Sequence, residues 1–84
     1  TVIKWLDEMK ELLTYIARSL VDHPDEVSVT ERTENAETVF EVRVAEGDMG
    51  KVIGRQGRIA KEIRTLIKAM GLRDDKRVMV DILD

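Results

Sequence analysis

The chain has 84 residues and a mass of 9.6 kDa, with 43% hydrophobic and 37% charged residues, a net charge of −3 and no cysteine. This length predicts a single domain over residues 1–84. The composition excludes disulfide scaffolds, thiolate metal sites and cysteine nucleophiles, and His23, the only histidine, cannot build a multi-histidine metal centre.

Leu, Ile, Val and Phe make up 25 of the 84 residues, enough to drive folding around one hydrophobic layer. At this size, partner contacts or oligomerisation can add stability. Apolar runs such as Val78 to Val80 are too short to span a bilayer, and residues 1–20 carry scattered charges instead of a secretory core. A cytoplasmic location is the expectation.

The net charge hides a segregation. Residues 50–77 hold nine bases against three acids, a local charge of +6, whereas the rest of the chain holds five bases and 14 acids, a charge of −9. A basic segment on an acidic body can bind phosphates locally, although charge clustering also describes an ordinary solvated helix face.

In chain order, Leu6, Met9, Leu13, Ile16 and Leu20 recur in steps of three and four and predict an amphipathic helix over 3–21. It stops at Asp22-His23-Pro24, because proline cannot continue a helix and disfavours it in the preceding residue. His23 is read as a loop residue and Trp5 as a packing residue. From Val27 the period becomes two. Val27 and Val29, then Phe40, Val42 and Val44, form two strands of a hairpin turning at Glu34-Asn35-Ala36-Glu37, with one face of the sheet wet. A third strand, Arg77 to Leu83, puts Val78, Val80 and Ile82 on one side and Met79 and Asp81 on the other.

Between the hairpin and the last strand, Asp48 is predicted to cap a short helix, Met49 to Ile53. Ile59, Ile63, Leu66, Ile67 and Met70 stripe a second helix that Gly71 is expected to end. Gly54 and Gly57 then bracket a tight turn between two helices. Glycines there accept unusual backbone angles, and the following helix aims unpaired N–H groups and its positive dipole end at the turn. Such a turn suits phosphates. Arg55, with Lys51 and Arg58 flanking it, is the expected phosphate contact, and Lys68 is read as solvated surface. Val52, Ile53 and Ile59 either line an apolar groove beside the turn or belong to the core.

Neither the Walker string nor the dinucleotide glycine pattern is present, which disfavours nucleotide cofactors. The Gly50–Gly54 spacing lies outside any long apolar segment and carries no membrane meaning. No nucleophile, base and orienting group form a recognisable set, so neither an enzyme, a small-molecule substrate nor a cofactor is expected. A stacking-platform RNA fold would need more aromatic strand residues than Phe40 alone.

Val52-Ile53-Gly54-Arg55-Gln56-Gly57-Arg58-Ile59 resembles the [V/I]-I-G-x-x-G core of the KH domain. The order helix-strand-strand-helix-helix-strand is that of its type II form. This implies an α+β fold, a three-stranded sheet packed against three helices. Leu20-Val21-Asp22-His23-Pro24, Gly50 to Gly57 and Val80-Asp81-Ile82-Leu83 are similar to the KhpA family, bacterial single-domain KH proteins. That resemblance implies a cytoplasmic protein binding single-stranded RNA, an RNA chaperone partnered with KhpB, a larger KH-domain protein, in a family tied to cell-envelope homeostasis and cell length. Carried onto this chain, Gly54 and Gly57 admit the RNA backbone, Arg55 and Gln56 contact phosphates or sugars, and Lys51 and Arg58 add longer-range attraction. Base preference falls to the groove near Ile53 and Ile59. Two other readings stay open: a homo- or heterodimerisation module of weak RNA affinity, with Leu66 and Met79 as contacts or as ordinary packing, and a KH domain excised from a larger ribosome-associated protein.

Overall fold

The structure, a computed structural model, describes the backbone of residues 2–83 and the side chains of 4–83; residues 1 and 84 of the expected domain lie outside it. Helix α1 spans Val2–Leu20, strands β1 and β2 span Ser28–Glu34 and Glu37–Arg43, helices α2 and α3 span Met49–Ile53 and Arg58–Arg73, and strand β3 spans Val78–Leu83. Single 3₁₀ turns occupy Pro24–Glu26, Glu46–Asp48 and Arg55–Gly57. This is the α+β order that the KH type II resemblance implies.

The sheet order is β1-β2-β3, antiparallel between β1 and β2 and parallel between β2 and β3. The hairpin closes through Asn35 (φ 51°) and Ala36 (φ 64°), both left-handed, the two-residue geometry whose twist matches that of paired strands. Parallel pairing of β2 with β3 needs a crossover, which the α2–α3 segment provides.

The core lies between the helices and one sheet face, where Met9, Leu13 and Ala17 of α1 meet Phe40, Val42 and Val80, with Val52 and Ile67 closing it from α2 and α3. Phe40 is fully buried, and Trp5 packs on it with ring centroids 6.2 Å apart at 49°, the tilted arrangement aromatic pairs favour. The opposite sheet face is polar, as the alternation predicts, but its centre is not wet. The register sets Val39 between Arg32 and Met79, and Val39 is only 5% exposed. Arg32 of β1 reaches across the sheet to Glu41 of β2 (3.0 Å) and Asp81 of β3 (3.4 Å), and also holds Glu34 (2.7 Å). Its aliphatic stem can cover apolar surface while the guanidinium stays in water.

One expected boundary is corrected. Gly71 does not end α3, which runs on to Arg73. The left-handed residue after the helix is Asp75 (φ 60°), and the Gly71 carbonyl accepts N–H bonds from Asp74 (3.0 Å) and Lys76 (2.8 Å). Gly71 is there for space: a Cβ on it would lie 2.6 Å from Val78 Cγ2 and 3.0 Å from the Lys76 carbonyl. The missing side chain lets the start of β3 press against α3.

Candidate functional site

The predicted glycine turn joins α2 to α3. Helix α2 closes with the Gly54 N–H donating to the Gly50 carbonyl (2.9 Å), and the Gly57 N–H donates back to Gly54 (3.1 Å). Gly54 adopts φ 77°, ψ 174°, a region open essentially to glycine alone. Gln56 (φ 57°, ψ 25°) and Gly57 (φ 72°, ψ 13°) are both left-handed. A left-handed glutamine is uncommon and marks a constrained turn. The two glycines differ in surroundings. A Cβ on Gly54 would lie 2.6 Å from Ile59 Cγ1, whereas a Cβ on Gly57 would meet nothing within 4 Å. Gly54 is packed against the protein, and Gly57 opens outward.

Helix α3 begins at Arg58 with no side-chain cap on its N–H groups and no acidic residue in its first turn. Its free donors and positive dipole end therefore meet the exposed Arg55, Gln56 and Arg58 side chains. Arg58 Nη2 donates to Gln56 Oε1 at 3.3 Å, and Arg55 makes no ion pair among the described residues. This surface is suited to a chain of anions. Lys51 is exposed nearby and pairs with Asp22 at 3.4 Å, so an incoming phosphate must compete with that carboxylate.

Of the three apolar candidates, Ile53 and Ile59 are half-buried beside the turn, positions open to a ligand. Val52, left open between groove and core by the sequence, belongs to the core. It is 1% exposed, and the space it shares with Leu13, Val42, Ile63 and Ile82 amounts to about 10 Å³, at most the room one water needs. Adjacent residues on a short helix point about 100° apart, and α2 turns Val52 inward and Ile53 to the rim.

Helix α3 also carries Arg64. Here its Nε donates to the Val80 carbonyl at 3.1 Å. Because β3 pairs only with β2, that carbonyl belongs to the open edge of the sheet, and Arg64 spans the gap between α3 and this edge. Four of its five N–H donors remain for other acceptors. The sequence carries no local signal for this contact, which joins residues 16 positions apart.

Asp48 takes a different role from the expected cap. It makes no capping bond to α2 and is 1% exposed. Its carboxylate accepts the backbone N–H groups of Asp22 (3.3 Å) and His23 (3.0 Å) and faces His23 Nδ1 at 3.1 Å. It thereby ties the chain leaving α1 to the start of α2, the helix that presents the glycine turn. Burial alone would push the Asp48 carboxyl up, but the Asp22 N–H, the His23 ring and the His23 N–H hold it below the ordinary 3.8. The same contact, through its hydrogen bond and then its charge, raises His23 above 6.5 against a smaller opposing effect of burial, with Glu26 and Asp22 adding to the rise.

The pH dependence follows from these directions. The His23 contribution to stability is full below pH 6.5 and is lost as pH rises through the higher folded value; the Asp48 contribution is full above 3.8 and is lost as pH falls through its lower folded value. Thermal melts should show a decline in stability from pH 6 to pH 9 that His23→Asn removes. An unchanged slope in the variant would refute the assignment.

Comparison with known proteins places the chain among relatives. The family model described as KhpA/KhpB, KH domain matches residues 10–82. A protein of Clostridium acetobutylicum named RNA-binding protein KhpA is 59% identical over 75 residues, 89% of this chain and all of the relative. Proteins of the same name from Caldanaerobacter subterraneus and Listeria monocytogenes are 53% identical over 75 residues and 43% identical over 76, covering 89% and 90% of this chain and the whole of each relative. No solved structure matches the chain significantly. With the family model covering most of its length and the glycine turn in place, the chain belongs to the KhpA/KhpB KH-domain family.

Proposed function

We propose that this chain is a single-stranded RNA-binding KH module that acts in the cytoplasm as an RNA chaperone with a KhpB-like partner. The observation that carries the reading is the exposed turn at Gly54–Gly57, with its left-handed Gln56 and Gly57, open space over Gly57 and an uncapped helix behind it. A KH turn of this kind clamps the backbone of about four unpaired nucleotides. Gly57 lets the backbone approach, Arg55 and Gln56 reach phosphates or sugars, and Lys51 and Arg58 supply attraction at longer range. Ile53 and Ile59 form the apolar wall beside the bases, and Arg64 and the β3 edge face them across the gap. The names of the relatives, RNA-binding protein KhpA, support the same ligand. No helix is long and apolar enough to cross a membrane among the described residues.

The test is Arg55→Asp with Gln56→Asp. Aspartate tolerates the left-handed geometry of position 56, so the thermal midpoint should stay within a few degrees while affinity for a short single-stranded RNA falls by about 100-fold at moderate salt. Binding that survives the double substitution would reject this surface.

A second reading, a dimerisation or interaction module, draws support from Leu66, which is 47% exposed rather than packed in the stripe, and which borders a shallow depression with Thr65 and Ala69. Met79 is half-buried on the outer sheet face. A second copy or a KhpB-like KH domain would cover such a surface. Wild-type protein that dimerises but binds no RNA at low or moderate salt would favour this reading over the first.

A further inference from the structure

At the far end of α3 from the glycine turn, Lys68, Lys76 and Arg77 surround Leu72, which is 70% exposed. They line a depression of about 170 Å³ completed by Glu37, Val78 and Met79. None of these three cations makes an ion pair or side-chain hydrogen bond among the described residues. Some other cations of the chain are paired. Lys10 is held by Glu31 at 2.9 Å, Arg32 by three carboxylates, and Lys51 by Asp22.

The patch is not isolated from the turn. Lys61, Arg64 and Lys68 follow one another in steps of three and four along one flank of α3, so they form a row on the side facing β3, the side on which Arg64 meets Val80. Lys76 and Arg77 continue that row beyond the helix. From Lys61 to Lys68 the row rises about 10 Å along α3. Leu66 lies on the opposite flank, roughly 160° away around the helix from Lys68. Lys61 borders the same depression as Leu66, so it is the Lys68 end of the row that lies clear of Leu66.

We propose that Lys68, Lys76 and Arg77 form a second phosphate-binding patch for the same single-stranded RNA, holding the stretch of strand beyond the nucleotides clamped at Gly54–Gly57. The inference rests on the RNA-binding reading of the turn and extends its footprint. The ligand class follows from charge. Outside residues 50–77 the chain carries −9, so a polyanion is drawn to the basic turn and the row, and the row leads it from the turn to the patch. Leu72 and Met79 supply apolar surface on which an unstacked base can rest. A short acidic peptide would meet only the patch and leave Lys61 and Arg64, the rest of the row, unused.

The test compares oligouridine of 5 and 15 nucleotides by fluorescence anisotropy across a salt series, with wild-type protein and the triple variant Lys68→Gln, Lys76→Gln, Arg77→Gln. Thermal melting checks the fold, and Lys68→Arg with Lys76→Arg preserves the charge. The expected result is that the triple variant binds the 15-mer at least about tenfold more weakly, and that its slope of log affinity against log salt is flatter by about 2, the effect of three lost phosphate contacts. Its affinity for the 5-mer should be unchanged, and the double Arg variant should match wild type on both lengths. Wild-type 15-mer affinity and slope in the triple variant would overturn the proposal. If that variant instead lost binding to oligoglutamate, the patch would belong to an acidic protein partner. Failure of the turn reading is separately visible, because Arg55→Asp with Gln56→Asp would then leave 5-mer binding intact.

Discussion

Gly54→Ala is expected to lower stability by about 3 kcal/mol or more, whereas Gly57→Ala, at a position of nearly the same φ, should cost about 1 kcal/mol. The difference lies in ψ and in the neighbours. Gly54 combines φ 77° with ψ 174°, which a side chain resists far more than the left-handed well of Gly57. Its added Cβ would also stand 2.6 Å from Ile59 Cγ1 and 2.9 Å from Ile59 Cβ. The β-carbon of Ile59 is fixed by the first turn of α3 and cannot swing aside, so α2 and α3 must separate. For a domain of this size that corresponds to a fall in thermal midpoint of roughly 12 °C or more, against about 4–8 °C for Gly57→Ala. RNA affinity should be lost in the first variant with the geometry of the turn. In the second it should fall because the new methyl enters the open space over Gly57, where the proposed strand docks. Equal midpoints for the two variants would show that packing against Ile59 does not hold the turn.

Asp48→Ala is the second large effect. The substitution removes a buried carboxylate that accepts from two backbone N–H groups and faces the His23 ring, and part-buried donors left without that partner are costly. The thermal midpoint should drop by at least about 5 °C, and the amide protons of Asp22 and His23, which the carboxylate should protect in the wild type, should exchange rapidly. Asp48→Asn should fall between, since its carbonyl oxygen can still accept while its amide opposes the N–H groups. Because Asp48 immediately precedes α2, RNA binding should weaken in step with the loss of protection. Protection that persists in Asp48→Ala would mean that the loop after α1 is held by other contacts.

Much of the architecture was legible from local pattern. The steps of three and four in residues 6–20 marked α1, the alternation around Phe40 and Val80 marked the strands, and the pair Gly54 and Gly57 marked the turn; each signal lies within a few residues of the structure it specifies. Legibility failed where neighbours in space are distant in sequence. Asp48 reads as a cap because aspartate before a helix usually is one, yet its partners lie 25 and 26 positions earlier. Leu66 reads as part of an apolar stripe, but no element packs over its flank of α3, and it stays exposed. Gly71 reads as a helix stop, and its actual reason, the approach of Val78, is visible only once β3 is in place.

Local pattern was enough to set the order of elements, the segregation of positive charge into residues 50–77 and the two glycines of the turn, because periodicity, charge and backbone freedom are properties of short stretches of chain. Only the tertiary structure decided that Val52 faces the core while Ile53 faces the rim, that Arg64 bridges to the open edge of β3, and that Lys68 joins Lys76 and Arg77 around Leu72. Those outcomes depend on which surfaces the packed helices and sheet cover and which they leave to water, and burial of that kind is set by the whole chain at once.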